Sequence, residues 1–176
     1  MAGHSKWAKL KHTKGKTDAQ RAKLFSKLVR AISIEAKAAK GDRNAPGVRV
    51  AIQKAKEANM PADNIERALQ KASGDGAQSE RIVYEAYGPG GCAMVIEAYT
   101  DSRNRTSAEL KHLLSQHGAT LANPGAAMWA FAKNAEGKLE PTAPTELSNE
   151  DAQKMADLSD ALEEHDDVSE VYTSAA

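Results

Sequence analysis

The sequence predicts an α+β fold in which a bundle of three helices precedes a small β-β-α-β-α-β domain built on a mainly antiparallel sheet. Three observations carry that reading. Apolar residues recur every three or four positions up to about residue 72 and every second position from about residue 82, the two periods that separate helix from strand. Clusters of Gly, Pro and Asn punctuate the chain at 41–46, 72–79 and 88–91. The charges are sorted along the chain: residues 1–43 hold 12 Lys/Arg against 3 Asp/Glu, and residues 135–176 hold 2 against 12.

In chain order, residues 18–39 carry Phe25, Leu28, Val29, Ile32, Ala36 and Ala39 on one helical face and Lys/Arg on the other. Gly41, Asn44 and Pro46 end this helix and open a second with the stripe Val48, Ala51, Ile52, Ala55 and Ala58. Pro61 suits the first turn of a third, bearing Ile65, Ala68, Leu69 and Ala72. Residues 72–79 read as a linker, so the predicted domains are 1–75 and 80–176. Beyond it, 82–87 and 92–100 form a hairpin around Gly88-Pro89-Gly90-Gly91. Thr106 with Glu109 resembles a capping box for a helix with Leu110, Leu113 and Leu114, ended by Gly118. Residues 127–132 are expected as the third strand, and 134–147, with Pro141 and Pro144, as a Pro/Thr-rich connection. Ser148 caps a helix with Met155, Leu158 and Leu162, and 168–173 is the last strand.

The total charge is zero only because a basic front cancels an acidic end. A segment as basic as 1–43 sets up a positive potential that fits the phosphate backbone of nucleic acid. Lys6, Lys9, Lys11, Lys14 and Lys16, with Trp7 and the histidines His4 and His12 interleaved, join phosphate-neutralising cations to a ring that stacks on bases. Arg21, Lys23, Lys27 and Arg30 extend the surface along the first helix, although each alone also reads as a solvated face. Arg103, Asn104 and Arg105 stand at a helix start, where amides and guanidinium groups suit an anion; structural capping explains them equally well. A solvated tail, with Trp7 anchored on the bundle, is the plain alternative for the N-terminal run.

Other chemistries lack their residues. Gly15-Lys16-Thr17 has Leu10 where a phosphate-binding loop needs glycine. The five histidines show no metal-ligand spacing, and the single Cys92 and the serines stand in no nucleophile motif, so no cofactor, metal or catalytic group is expected. No apolar run reaches membrane-spanning length and no targeting sequence is evident; with one cysteine, the expectation is a cytoplasmic protein without a membrane or small-molecule partner.

Several motifs stand together in order: Met1-Ala2-Gly3-His4-Ser5-Lys6-Trp7, Lys11-His12, Asn59-Met60-Pro61 with Asn64-Ile65-Glu66-Arg67-Ala68, Tyr87-Gly88-Pro89-Gly90-Gly91, and Thr100-Asp101 with Arg103-Asn104-Arg105-Thr106. Together they resemble the YebC/PmpR family, which includes a mitochondrial translational activator. Near the end, Leu147-Ser148, Asp166-Asp167-Val168 and Val171-Tyr172 look like the family's last helix and strand. The resemblance implies a helical N-terminal domain followed by α/β domains and no catalysis. Two roles are implied: DNA-binding transcriptional regulation, and ribosome-associated support of translation. The partners are then DNA or ribosomal RNA, and the ribosome itself. Full-length members insert a further α/β domain where this chain has only 134–145. The rival from another class is a protein-interaction adaptor using the acidic helix at 149–165; an enzyme ranks below both.

Overall fold

A computed structural model of the chain describes residues 17–72 and 79–176. Helices α1 (Asp18–Ala38), α2 (Pro46–Glu57) and α3 (Ala62–Lys71) come first. Thr17 caps α1 in a reciprocal box with Gln20. Proline opens α2 and Pro61 sits at the N-cap of α3, one position earlier than its predicted place in the first turn. The three pack through a cluster of their own: Leu28, Ile32, Ala51, Ala55, Met60, Ile65 and Ala68.

The remainder is organised by a four-stranded antiparallel sheet. Strands β1 (Glu80–Tyr87) and β2 (Ala93–Thr100) pair along their whole length, and β3 (Thr120–Ala122) and β6 (Val168–Thr173) flank them in the order β3-β1-β2-β6. Gly90, at φ +71°, makes the tight turn between β1 and β2; a Cβ there would lie 2.6 Å from Leu147 Cδ2. Helices α4 (Arg103–Gln116) and α5 (Asn149–Glu164) cover one face of the sheet. Alternation along β2 sends Met94 and Ile96 to that face, where they meet Leu110, Leu114, Met155, Leu158 and Leu162, all fully buried. Ser148 caps α5, its hydroxyl accepting from the Asp151 amide.

Two expectations need correction. Residues 127–132 are not the third strand of the sheet. They split into a 3-10 turn (Met128–Ala130) and a short strand β4 (Phe131–Lys133), which pairs with β5 (Leu139–Pro141) in a separate hairpin inside the supposed connection. The run is apolar because Ala127, Ala130 and Phe131 cover Ala93 and Val95 on the second face of the sheet. Nor does Thr106 begin a helix: Ser102 holds the N-cap position, and Thr106 is fully buried within the first turn of α4.

Candidate nucleic-acid interface

The cations proposed on α1 fall on two edges of the helix. Arg21 is exposed. Lys23, Lys27 and Arg30, spaced four and three residues apart, share one edge and lie against the end of α5. There the last helical carbonyls have no intrahelical donors. Lys23 and Lys27 supply them, donating from Nζ to the carbonyl oxygens of Glu164 and Glu163. Lys23 also stands 3.4 Å from the Glu164 carboxylate and 3.3 Å from that of Asp166. Burial, and secondarily the neighbouring Lys23, pushes the Lys27 ammonium down to about 8.

Arg30 reaches Asp167 at 2.9 Å, and Arg105, from α4, reaches the other oxygen of the same carboxylate at 2.6 Å. Asp167 is buried, and the Thr106 hydroxyl lies 2.7 Å from it and 2.8 Å from the Thr100 hydroxyl. A carboxylate only accepts, so Thr106 gives it its proton and takes one from Thr100. Burial alone would raise the Asp167 carboxyl; the Thr106 and Arg105 hydrogen bonds outweigh it and hold the pKa below the usual aspartate value. Arg103 turns away to Glu80 at 2.7 Å, and Asn104 is exposed. The structure thus brings Arg30 and Arg105 together and leaves Arg103 and Asn104 apart from them. Lys6, Trp7, Lys9, Lys11, His12, Lys14 and Lys16 lie outside the described residues.

Between α1, α4 and the α5–β6 corner is an open depression of about 860 Å³, lined by three Lys/Arg and five Asp/Glu side chains. Its balance is acidic. Glu109, His165 and Asp167 place ligand-type atoms within 4.8 Å of one another, yet two guanidinium groups already hold Asp167 and disfavour a cation beside it. Neither Asp167 nor Glu164 stands out in the sequence as a partner for these cations, because carboxylates near an amphipathic helix read as a solvated face, and Thr106 reads there as a helix cap. The signal that points to them is the opposed charge of the chain's two ends.

A second set of charges joins α1 and α2 to the other face of the sheet. Lys54 lies among Glu97, Glu170 and the Tyr172 hydroxyl at 3.2–3.5 Å, and Arg81 bonds Glu97 at 2.7 Å. Tyr99 donates to Glu35 at 2.9 Å. Burial pulls the Lys54 ammonium down, but Glu97 and Glu170 outweigh it and keep its pKa above the ordinary lysine value. Further along β1, the buried Glu85 carboxylate accepts from the amides of Gly125, Ala127 and Met128 at 2.6–2.8 Å and so shapes the turn beneath exposed Trp129. Among the described residues no helix is long and apolar enough to cross a membrane.

Comparison with known proteins bears on the whole chain. The family model described as the TACO1/YebC protein N-terminal domain matches residues 5–75, and that described as the TACO1/YebC second and third domain matches 79–137 and 132–175. A "probable transcriptional regulatory protein" of Halothermothrix orenii is 50% identical over 139 residues, 77% of this chain and 55% of that protein. A protein of the same description from Pseudothermotoga lettingae is 49% identical over 134 residues, 74% of this chain and 53% of its own. The chain therefore spans about half the length of these relatives. A third, from Pelotomaculum thermopropionicum, is 35% identical over an alignment of 238 positions covering 99% of this chain and 98% of that one. With only 176 residues to align, the relative carries additional sequence inside the match. The crystal structure of a conserved hypothetical protein from Aquifex aeolicus superposes with a TM-score of 0.77 at 32% identity, covering 97% of this chain and 96% of the other. The chain belongs to the TACO1/YebC family.

Proposed function

We propose that this protein is a non-enzymatic regulator of gene expression that binds nucleic acid through its basic N-terminal segment and α1. Its relatives are described as probable transcriptional regulatory proteins. The observation that carries the reading is the concentration of 12 Lys/Arg against 3 Asp/Glu in residues 1–43. The reading divides the chain into a basic helical domain, 1–75, and an α+β domain, 80–176. DNA and ribosomal RNA are both partners of the right chemistry, since phosphate contacts carry no sequence information. Arg105, Arg30 and Arg103 keep about half of their side chains or more exposed, so N–H groups remain for a phosphate beside the carboxylates they already hold.

Anisotropy titration of labelled DNA and RNA against salt tests this. Replacing Lys6, Lys9, Lys11, Lys14 and Lys16 by Ala should weaken binding and flatten the log–log salt slope by roughly 0.7–0.9 for each phosphate that is no longer neutralised. Trp7→Ala should instead cost on the order of 1–3 kcal/mol of binding with little change in slope. Unchanged affinity and slope in a folded five-lysine variant overturns the reading.

A further inference from the structure

We propose that the corner between α5 and β6, residues 163–167, is a built-in phosphate mimic seated on α1, and that nucleic acid displaces its outer acceptors, the Glu164 and Asp166 carboxylates and the carbonyls at the end of α5, when it engages Lys23, Lys27 and Arg30. The inference rests on the functional reading of α1 and adds a competitor to it.

Positions 23, 27 and 30 form a stripe about 10 Å long on one helix edge, a spacing suited to successive phosphates. That stripe is already met by anionic oxygens. Lys23 faces the carboxylates of Glu164 and Asp166, Lys27 the Glu163 carbonyl, and Arg30 the Asp167 carboxylate. All of these acceptors come from one short segment, and the negative end of the α5 dipole points the same way. The attachments differ in strength. Glu164 and Asp166 are 67% and 81% exposed and pair with Lys23 only at 3.3–3.4 Å, as weak surface pairs do. Asp167 is 5% exposed and also held by Arg105 and Thr106, so it stays in place as the pivot. An incoming polyanion therefore exchanges with Glu164 and Asp166 and with the carbonyls at the end of α5, leaving the core of the corner intact. Until it does so, the acidic balance of the adjoining depression opposes it. Only a partner with several phosphates at this spacing gains enough to complete the exchange.

The test uses the full chain. A water-soluble carbodiimide joins an amine to a contacting carboxylate without a spacer, and mass spectrometry reads the yield of Lys23 linked to Glu164 or Asp166. Saturating DNA or RNA oligonucleotides without terminal phosphates should reduce that yield severalfold. Separately, the corner variant Glu164→Gln/Asp166→Asn should bind the same oligonucleotides about three- to tenfold more tightly at low salt. The control Glu146→Gln/Asp157→Asn removes the same charge away from the α1 stripe and should gain less than about twofold. Binding with an unchanged cross-link yield, or a control that gains as much as the corner variant, overturns the inference and leaves the functional reading standing. No binding by either the native chain or the corner variant overturns both.

Discussion

The first face of the central sheet and the part of its second face that meets the helical bundle are built from different forces; elsewhere on the second face Ala93 and Val95 are covered by Ala127, Ala130 and Phe131. Toward α4 and α5, β2 presents Met94 and Ile96 to a continuous apolar cluster in which the large side chains are fully buried. Toward α1 and α2, the same strand presents Glu97 and Tyr99, which meet Lys54, Arg81 and Glu35. The apolar cluster of the bundle contains no residue of the sheet. Hydrophobic burial depends little on direction, whereas a buried ion pair roughly balances Coulomb attraction against desolvation and is sensitive to geometry. The face toward α4 and α5 should thus set how stable the protein is, and the ionic seam toward α1 and α2 how the bundle is seated.

Substitutions on the two faces separate these roles. The largest effect belongs to the apolar side: Leu158→Ala should cost about 2–5 kcal/mol in denaturant unfolding. A smaller loss there than for any single charge at the seam would mean that ionic contacts, not burial, set the stability. Asp167→Asn comes next, at about 2–3 kcal/mol, because two arginines and a buried hydroxyl lose their acceptor charge. Its carboxyl pKa is lowered in the folded protein, so its stabilisation is present above the unfolded value and lost as pH falls through the folded one. Native and variant stabilities should consequently converge below about pH 4.

Lys54→Met should cost only about 1–2 kcal/mol, since Arg81 still answers Glu97 and Glu170 is partly exposed. Adding Glu97→Gln should recover part of that loss, and a double-mutant cycle measures the coupling. The smallest effect is at Lys27. Its folded pKa of about 8 is below that of the free side chain, so the unfolded chain binds more protons between roughly pH 8 and 10 and native stability rises with pH there. Lys27→Met should remove that rise, a change of no more than about 1 kcal/mol after solvent screening.

Elements with a long repeating pattern are legible in the sequence. The stripes of α1 and α2, the glycine-rich turn after β1 and the Ser148 cap are each signals carried within a few residues. Strand β3 escapes notice because three residues of an edge strand hold too little alternation, while the apolar 127–132 imitates it. Thr106 looks like a cap because its hydroxyl and Glu109 have the right spacing; the hydroxyl instead serves Asp167, 61 residues away in the chain. The same distance in sequence hides the interface. Arg30 is nameable as a cation, but its acceptor lies 137 residues further on, and only the fold brings the two together.

The β4–β5 hairpin has a consequence for how larger proteins are assembled on this frame. Its strands run in register from Phe131 opposite Pro141 to Lys133 opposite Leu139, the Asn134 amide closes on the Lys138 carbonyl, and the two stretches of the family match overlap at 132–137. Paired strands hold their ends only about 5.5 Å apart. A guest module spliced at this tip must bring its own first and last residues equally close, or it will prise the hairpin open. It must also clear the neighbouring helix: the Lys138 ammonium sits 2.7 Å from Glu57, and a Cβ at Gly137 would lie 3.1 Å from Val50 Cγ2. Terminal spacing and clearance from α2 would thus limit any module inserted at this tip, whatever fold it adopted.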